Sequence, residues 1–162
     1  MKAVAFPFAL NVGTDIVHIP RVFRLVTRPS AGTTPYLHRF IRRILSEQEQ
    51  AHFLSKFPQY QPRSSQPPIR SPSSSHPPNA KDMARWLAGR FAAKEAARKA
   101  APGGAASISW KEVVVRNEPK GNGRPEVVFL RDGKDVGQIG KLSISHDGEY
   151  VVATVIAAAN SD

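Results

Sequence analysis

The chain begins with an alternation. From Asn11 to Val17, Val12, Thr14 and Ile16 fall on one side of an extended backbone and Gly13, Asp15 and Val17 on the other, which predicts a strand. Met1 to Leu10 is apolar and reads as the lead into it. Pro20 suits the first turn of a helix. From Arg21 the period becomes helical, with Val22, Leu25 and Val26 inward and Arg21, Arg24 and Arg28 on the outer stripe. Pro29, Gly32 and Pro35 interrupt the chain before a second amphipathic helix, whose apolar positions are Leu37, Phe40, Ile41, Ile44 and Leu45. Ser46 and Glu49 have the spacing of a capping box and open a short helix through Ala51, Phe53 and Leu54.

The pattern then lapses. Pro58 to Ala80 holds half of the chain's 14 prolines and almost no large apolar side chains, so it cannot bury enough surface to offset its ordering entropy and is expected to be disordered. It separates helices of the same unit and reads as an insertion within a single domain spanning 1–162. Trp86 to Ala100 follows as the strongest helix of the chain, built from Ala, Leu, Lys, Arg and Glu. Asp82 is its expected N-cap, and Pro102, Gly103 and Gly104 stop it. Ala92, Ala93, Ala96, Ala97 and Ala100 cover most of its circumference, so other backbones can approach on several sides. That predicts a central helix with Glu95 carried inward. Beyond it, Ile108 to Asn117 reads as a strand, Glu118 to Pro125 as a turn, and Glu126 to Leu130 as the returning strand. Arg131 to Gly140 has no clear element. Leu142 to His146 alternates, Asp147-Gly148 is a hairpin turn, and Tyr150 to Ala157 closes the set. The fold class is α+β, an antiparallel sheet packed around one long central helix.

Charge narrows the partners. Lys and Arg total 23 against 13 Asp and Glu, a net charge of +10 that attracts nucleic acid, anionic lipid, a phosphate-rich cofactor or an acidic protein. With no cysteine there is no disulfide, thiolate metal site or cysteine nucleophile. No apolar run reaches the roughly 20 residues of a membrane span. The N-terminus lacks a secretory cleavage pattern and the Arg/Ser richness of a transit peptide. There is no Gly-rich phosphate loop, zinc spacing or Ser-His-Asp set. Two acids carry what chemistry remains. Asp15, among apolar neighbours in a strand, either caps the next turn from an exposed strand end or ligates a metal, since a buried carboxylate needs a partner. Glu95 and Lys99 are four apart on one helix face, the spacing of a surface ion pair contributing about 0.3–0.5 kcal/mol.

Three segments together change that reading. Asn11-Val-Gly-Thr-Asp-Ile-Val-His-Ile-Pro-Arg21, Trp86-Leu-Ala-Gly-Arg-Phe-Ala-Ala-Lys-Glu-Ala-Ala-Arg-Lys-Ala100 and Leu142-Ser-Ile-Ser-His-Asp-Gly-Glu-Tyr-Val-Val-Ala-Thr-Val-Ile156 resemble the holo-(acyl carrier protein) synthase family of 4′-phosphopantetheinyl transferases. They match its Gly-x-Asp-Ile motif, its Phe-x-x-Lys-Glu-Ala-x-x-Lys-Ala motif and its strand ending in Ser-x-Ser-His, in order. The resemblance implies the family fold and the transfer of phosphopantetheine from coenzyme A to a serine of an acyl carrier protein, releasing adenosine 3′,5′-bisphosphate. It implies Asp15 and Glu95 as ligands of Mg²⁺, and Lys99 as a catalytic cation at the pyrophosphate. The serine proton would pass to a water on the metal or to Glu95 itself. Arg90 and Lys94 match positions around the cofactor cleft, with the motif's Phe91 beside them and an outward-facing alternative for Lys94. His146 matches a histidine near the cofactor, at sites completed by an adjacent subunit of a trimer. Arg21, Arg24 and Arg28 lie where the family presents a basic helix to the acidic carrier.

The chain also departs from the family pattern. His18 stands where a glutamate is common, Pro102-Gly-Gly replaces Gly-Thr-Gly, Gly123-Arg124-Pro125 replaces Gly-Lys-Pro, and the Arg131 to Gly140 stretch occupies the place of a helix. The insertion suggests a eukaryotic member serving a mitochondrial carrier, with the cytoplasm as the alternative. A nucleic-acid-binding module and a non-catalytic carrier-binding scaffold are the rival readings. Both leave Asp15, Glu95 and Lys99 without a joint role.

Overall fold

The computed structural model describes residues 4, 6–28, 36–58, 60, 79–119, 123–130 and 137–159. Their elements, in chain order, are β1 (Leu10–His18), α1 (Ile19–Thr27), α2 (Tyr36–Ile44), α3 (Glu47–Lys56), α4 (Ala80–Ala100), β2 (Val113–Asn117), β3 (Pro125–Leu130), β4 (Gly137–Asp147) and β5 (Tyr150–Ala158). The strands form one antiparallel sheet in the order β1-β5-β4-β3-β2. The expected α+β architecture is thus present, with α4 lying across one face of the sheet.

The alanines explain how α4 gets so close. Ala92, Ala93, Ala96, Ala97 and Ala100 are all fully buried, and Val151, Ala153 and Val155 of β5 are buried beneath the helix. At Gly13 of β1 the approach is backbone to backbone. A Cβ there would collide with the Ala96 carbonyl and stand 2.7 Å from the Ala100 nitrogen. On the opposite face, Val12, Ile16, Tyr150 and Ile156 are exposed, Val12 at 64% and Ile16 at 61%. The period-2 pattern of β1 therefore runs against the usual sense. Leu10, Val12 and Ile16 face away from the core, because at Gly13 the helix leaves no room for a side chain, and Val17 is the larger apolar residue of β1 that is buried.

Several boundaries differ from the sequence reading. α4 begins at Ala80, within the stretch read as an insertion. Asn79 is at its N-cap position, while Asp82 sits in the first turn, where a carboxylate complements the helix dipole. In α3 the capping box is present, with Ser46 N donating to Glu49 Oε2 at 2.9 Å. Its inward residue is Phe53, while Ala51 and Leu54 are exposed. β2 is shorter than expected. Ile108 to Glu112 is irregular because α4 side chains take its carbonyls: Arg98 Nε bonds Ile108 O at 3.0 Å and Lys94 Nζ bonds Trp110 O at 2.8 Å. The hairpin loop is Gly148-Glu149, with Gly148 at φ 52°. Gly137 to Gly140 extends β4, whereas 131–136, like 59 and 61–78 of the insertion and the breakers Pro29, Gly32 and Pro35, lies outside the described residues.

Candidate active site

Gly13 sets the first part of the site. By bringing β1 onto the last two turns of α4, it puts Asp15 beside Lys99, whose Nζ donates to Asp15 Oδ1 at 2.8 Å and to the Thr14 carbonyl at 3.0 Å. The Asp15 side chain is 17% exposed, so it neither marks an exposed strand end nor stands unpaired. Glu95 lies one turn before Lys99, yet the surface pair between them does not form. Glu95 Oε1 instead meets Arg98 NH1 at 3.4 Å. The Glu95 side chain is 21% exposed, on the flank of the core and not inside it.

Each carboxylate thus has one oxygen engaged by a cation. Among the described residues, no protein partner takes Asp15 Oδ2 or Glu95 Oε2. Nor do three or more His, Cys, Asp or Glu side chains there stand together as a metal cage. Carboxylate oxygens of this kind, one or two at a time, are donors that Mg²⁺ commonly takes together with substrate phosphate and water oxygens.

The remaining expected residues distribute differently. Arg90 lines a cleft of about 550 Å³ with Lys56, Arg85, Trp86, Asn117 and His146. Its guanidinium lies 4.8 Å over the Trp86 ring, and NH1 donates to the Val115 carbonyl. Burial presses the Arg90 pKa down, and the Glu49 carboxylate opposes that. His146 lies beside Gly89, where an added Cβ would make ordinary van der Waals contact with its ring. Partial burial and the nearby Arg85 hold His146 below the usual histidine range. Phe91 is stacked between Phe40, at 5.8 Å, and Trp110, at 5.0 Å, in a half-buried aromatic column. His18 meets the Glu149 carboxylate at 3.4 Å, so a glutamate comes to this position from the β4–β5 turn.

Lys94 corrects the sequence reading. It is fully buried, neither outward-facing nor in the cleft, and its Nζ donates to Glu49 Oε2 at 2.6 Å, Trp110 O at 2.8 Å and Val113 O at 2.6 Å. An ammonium has three donors, so none is left for a cofactor. Glu49, in turn, accepts from Ser46 N and from Val115 N at 3.1 Å. One carboxylate thus joins α3, α4 and β2. The capping-box spacing revealed only the local half of this arrangement. Arg85 was also missed, because it precedes the Trp86 to Ala100 segment that carries the resemblance. Lys56 carries no local signal that it faces the cleft.

The structure brings Asp15 to Lys99, with Glu95 one helical turn before that lysine on α4, and sets Arg90 and His146 apart from this pair. Asp15 on β1 and His146 on β4 share the helix-facing side of the sheet, with β5 and α4 between them. Arg90 and Glu95, five residues apart, diverge by about 140° around the helix axis.

One carboxylate stands on the edge strand β1 and the other on α4, the helix packed against it. The family profile of the 4′-phosphopantetheinyl transferase superfamily matches residues 11–155. The chain is 54% identical to a 4′-phosphopantetheinyl transferase B, mitochondrial, of Aspergillus fumigatus, over 98% of this chain and 99% of that one. It is 32% identical to a holo-[acyl-carrier-protein] synthase of Gloeobacter violaceus, over 91% of this chain and 92% of the other. Among solved structures, a holo-(acyl-carrier-protein) synthase from Bacillus anthracis in complex with CoA (3′,5′-ADP) superposes with a TM-score of 0.56 at 26% identity, covering 93% of this chain and 96% of that chain. The chain belongs to the 4′-phosphopantetheinyl transferase superfamily, within its holo-(acyl carrier protein) synthase family.

Proposed function

We propose that this chain transfers the 4′-phosphopantetheine arm of coenzyme A to a serine of an apo-acyl carrier protein, as one domain interrupted by the 58–80 insertion. The serine oxygen bonds to the phosphorus that carries the pantetheine, the phosphoanhydride bond breaks, and adenosine 3′,5′-bisphosphate leaves. The carrying observation is the ion pair of Asp15 with Lys99 where β1 crosses α4, with Glu95 one helical turn before that lysine. Asp15 and Glu95 would hold Mg²⁺, which when bound neutralises the pyrophosphate charge that develops during transfer. Lys99 is half-exposed and can exchange Asp15 for a phosphate oxygen as substrate enters. The serine proton would leave to Glu95 or to a water beside it. Arg90 and His146 serve the phosphates of coenzyme A, with Phe91 supporting the wall. Lys94 has no part in cofactor contact.

Because Arg90 and His146 lie across α4 from Asp15 and Glu95, a complete site calls for residues from two copies. The exposed apolar face of β1 and β5 supports a homotrimer. Arg21 and Arg24 are exposed on α1, and Arg28 stands at its C-cap, 4.0 Å over the Tyr36 ring; together they present positive charge to an acidic carrier. The mitochondrial name of the Aspergillus fumigatus relative favours a mitochondrial location.

Intact-mass spectrometry of apo-acyl carrier protein incubated with coenzyme A, Mg²⁺ and this protein tests the reading. A phosphopantetheine-sized gain is expected with wild type and not with Glu95→Gln. No gain with several carriers that bind the protein would replace the transferase reading with that of a carrier-binding scaffold.

A further inference from the structure

The family motif around Glu95 leaves two positions unspecified before its final lysine, and the second of them is Arg98 in this chain. Arg98 and Lys99 are consecutive, and each engages one of the two acids: Lys99 takes Asp15 Oδ1 and Arg98 takes Glu95 Oε1. We infer that Arg98 is a positioning residue that restricts Glu95 to offering a single oxygen, and so favours Mg²⁺ over Ca²⁺ at the site. The inference rests on the reading of Asp15 and Glu95 as metal ligands.

Three features make Arg98 a fixed clamp. Its Nε donates to Ile108 O at 3.0 Å and its NH2 to Ala105 O at 2.6 Å, which commits the guanidinium to the segment after α4 before it reaches Glu95. Its guanidinium carbon lies 4.7 Å from the centre of the Trp110 ring, a ring itself stacked on Phe91. Its side chain is only 18% exposed, so it has little room to swing away. A planar fork held on two carbonyls and a ring can address a carboxylate from one side only. With Oε1 held, Glu95 has Oε2 to give.

The distinction matters because the two ions differ in what they accept. Mg²⁺ requires near-octahedral single-oxygen ligands, whereas Ca²⁺ accepts a carboxylate through both oxygens in a looser shell. A Glu95 released from Arg98 can turn both oxygens to one ion, which helps Ca²⁺ and does nothing for Mg²⁺. A residue that only anchors the 101–112 segment would lower the melting temperature without altering the choice between the ions.

The experiment is calorimetric titration of MgCl₂ and of CaCl₂ into the full-length protein saturated with coenzyme A, for wild type and Arg98→Gln, with thermal melts alongside. In Arg98→Gln the ratio of the Ca²⁺ to the Mg²⁺ dissociation constant is expected to fall by about tenfold, the size of effect typical for residues that orient a metal ligand. An unchanged ratio in a folded Arg98→Gln protein overturns the inference while leaving the metal ligands in place. If Arg98→Gln does not fold, Arg98→Lys carries the test. It keeps the charge but lacks the fork, so the ratio is expected to fall in the same direction, and no change overturns the inference. If the wild type binds neither ion in the presence of coenzyme A, the assignment of Asp15 and Glu95 as ligands fails, and the role of Arg98 with it.

Discussion

Lys94 and Glu95 are adjacent in the chain, and their fates could hardly differ more. Lys94 is sealed against Glu49 in the core, while Glu95 remains within reach of solvent. Burial pushes the Lys94 pKa down and the Glu49 carboxylate opposes it, so the ammonium depends on its partner. Lys94→Met is expected to cost about 3–5 kcal/mol, because it leaves a buried carboxylate without its cation. Adding Glu49→Gln is expected to recover most of that loss in urea denaturation, since the amide still accepts from Val115. His146 makes a second prediction. Its pKa lies below the usual histidine value, so the free ring is neutral at pH 7. A phosphate bound beside it favours the charged form and raises that pKa. Coenzyme A binding is therefore expected to take up a proton and to tighten as pH falls through the neutral range. Calorimetry in buffers of different ionisation enthalpy reads the uptake, and His146→Ala removes it. Sequence spacing distinguished none of this for Lys94. About 100° of helical rotation separates it from Glu95, and only the packing of α3 and β2 says which of the two directions is inside.

Among the elements, the contact between β1 and α4 does most to create the site. Gly13→Ala places a methyl against the Ala96 carbonyl, where neither backbone can yield without parting strand and helix. The expected result is a loss of about 1–3 kcal/mol in stability and a larger loss of transfer than of carrier binding, because Asp15 moves with β1. Denaturant melts and a transfer assay on the same samples check both. α1 behaves as its pattern announced, with Val22 and Val26 buried and Arg21 and Arg24 exposed. Replacing both arginines by glutamate is expected to slow association with the carrier and to flatten its dependence on salt, as read by stopped-flow mixing, with the rate of the chemical step little changed. The elements were legible because helical and strand periods depend on short stretches of chain. The exceptions were at Asp82, Ile108 and Trp110. There the start of α4 and the irregular path before β2 follow from a left-handed Asn79 and from side-chain bonds made across the fold.

The whole molecule presents two surfaces with different demands. One carries the exposed Arg21 and Arg24 of α1, and the other is the apolar outer face of β1 and β5. Val12→Asp with Ile16→Asp, both exposed in the isolated chain, is expected to yield monomers in sedimentation and to weaken coenzyme A binding in the same step. That joint loss is what a site divided between copies requires. An unaltered oligomeric state with these charges in place would argue against the sheet face as the interface.

The order of the motifs, the α+β class, the alanine-faced helix and the basic stripe of α1 were all present in the linear pattern, because each follows from local periodicity and residue chemistry. Which cation meets which acid was not. Asp15 with Lys99, Glu95 with Arg98 and Glu49 with Lys94 join positions as much as 84 residues apart. Charge pairing is decided by distances of a few ångströms, and those distances exist only once α4 has settled on Gly13 and the strands beside it have taken their register.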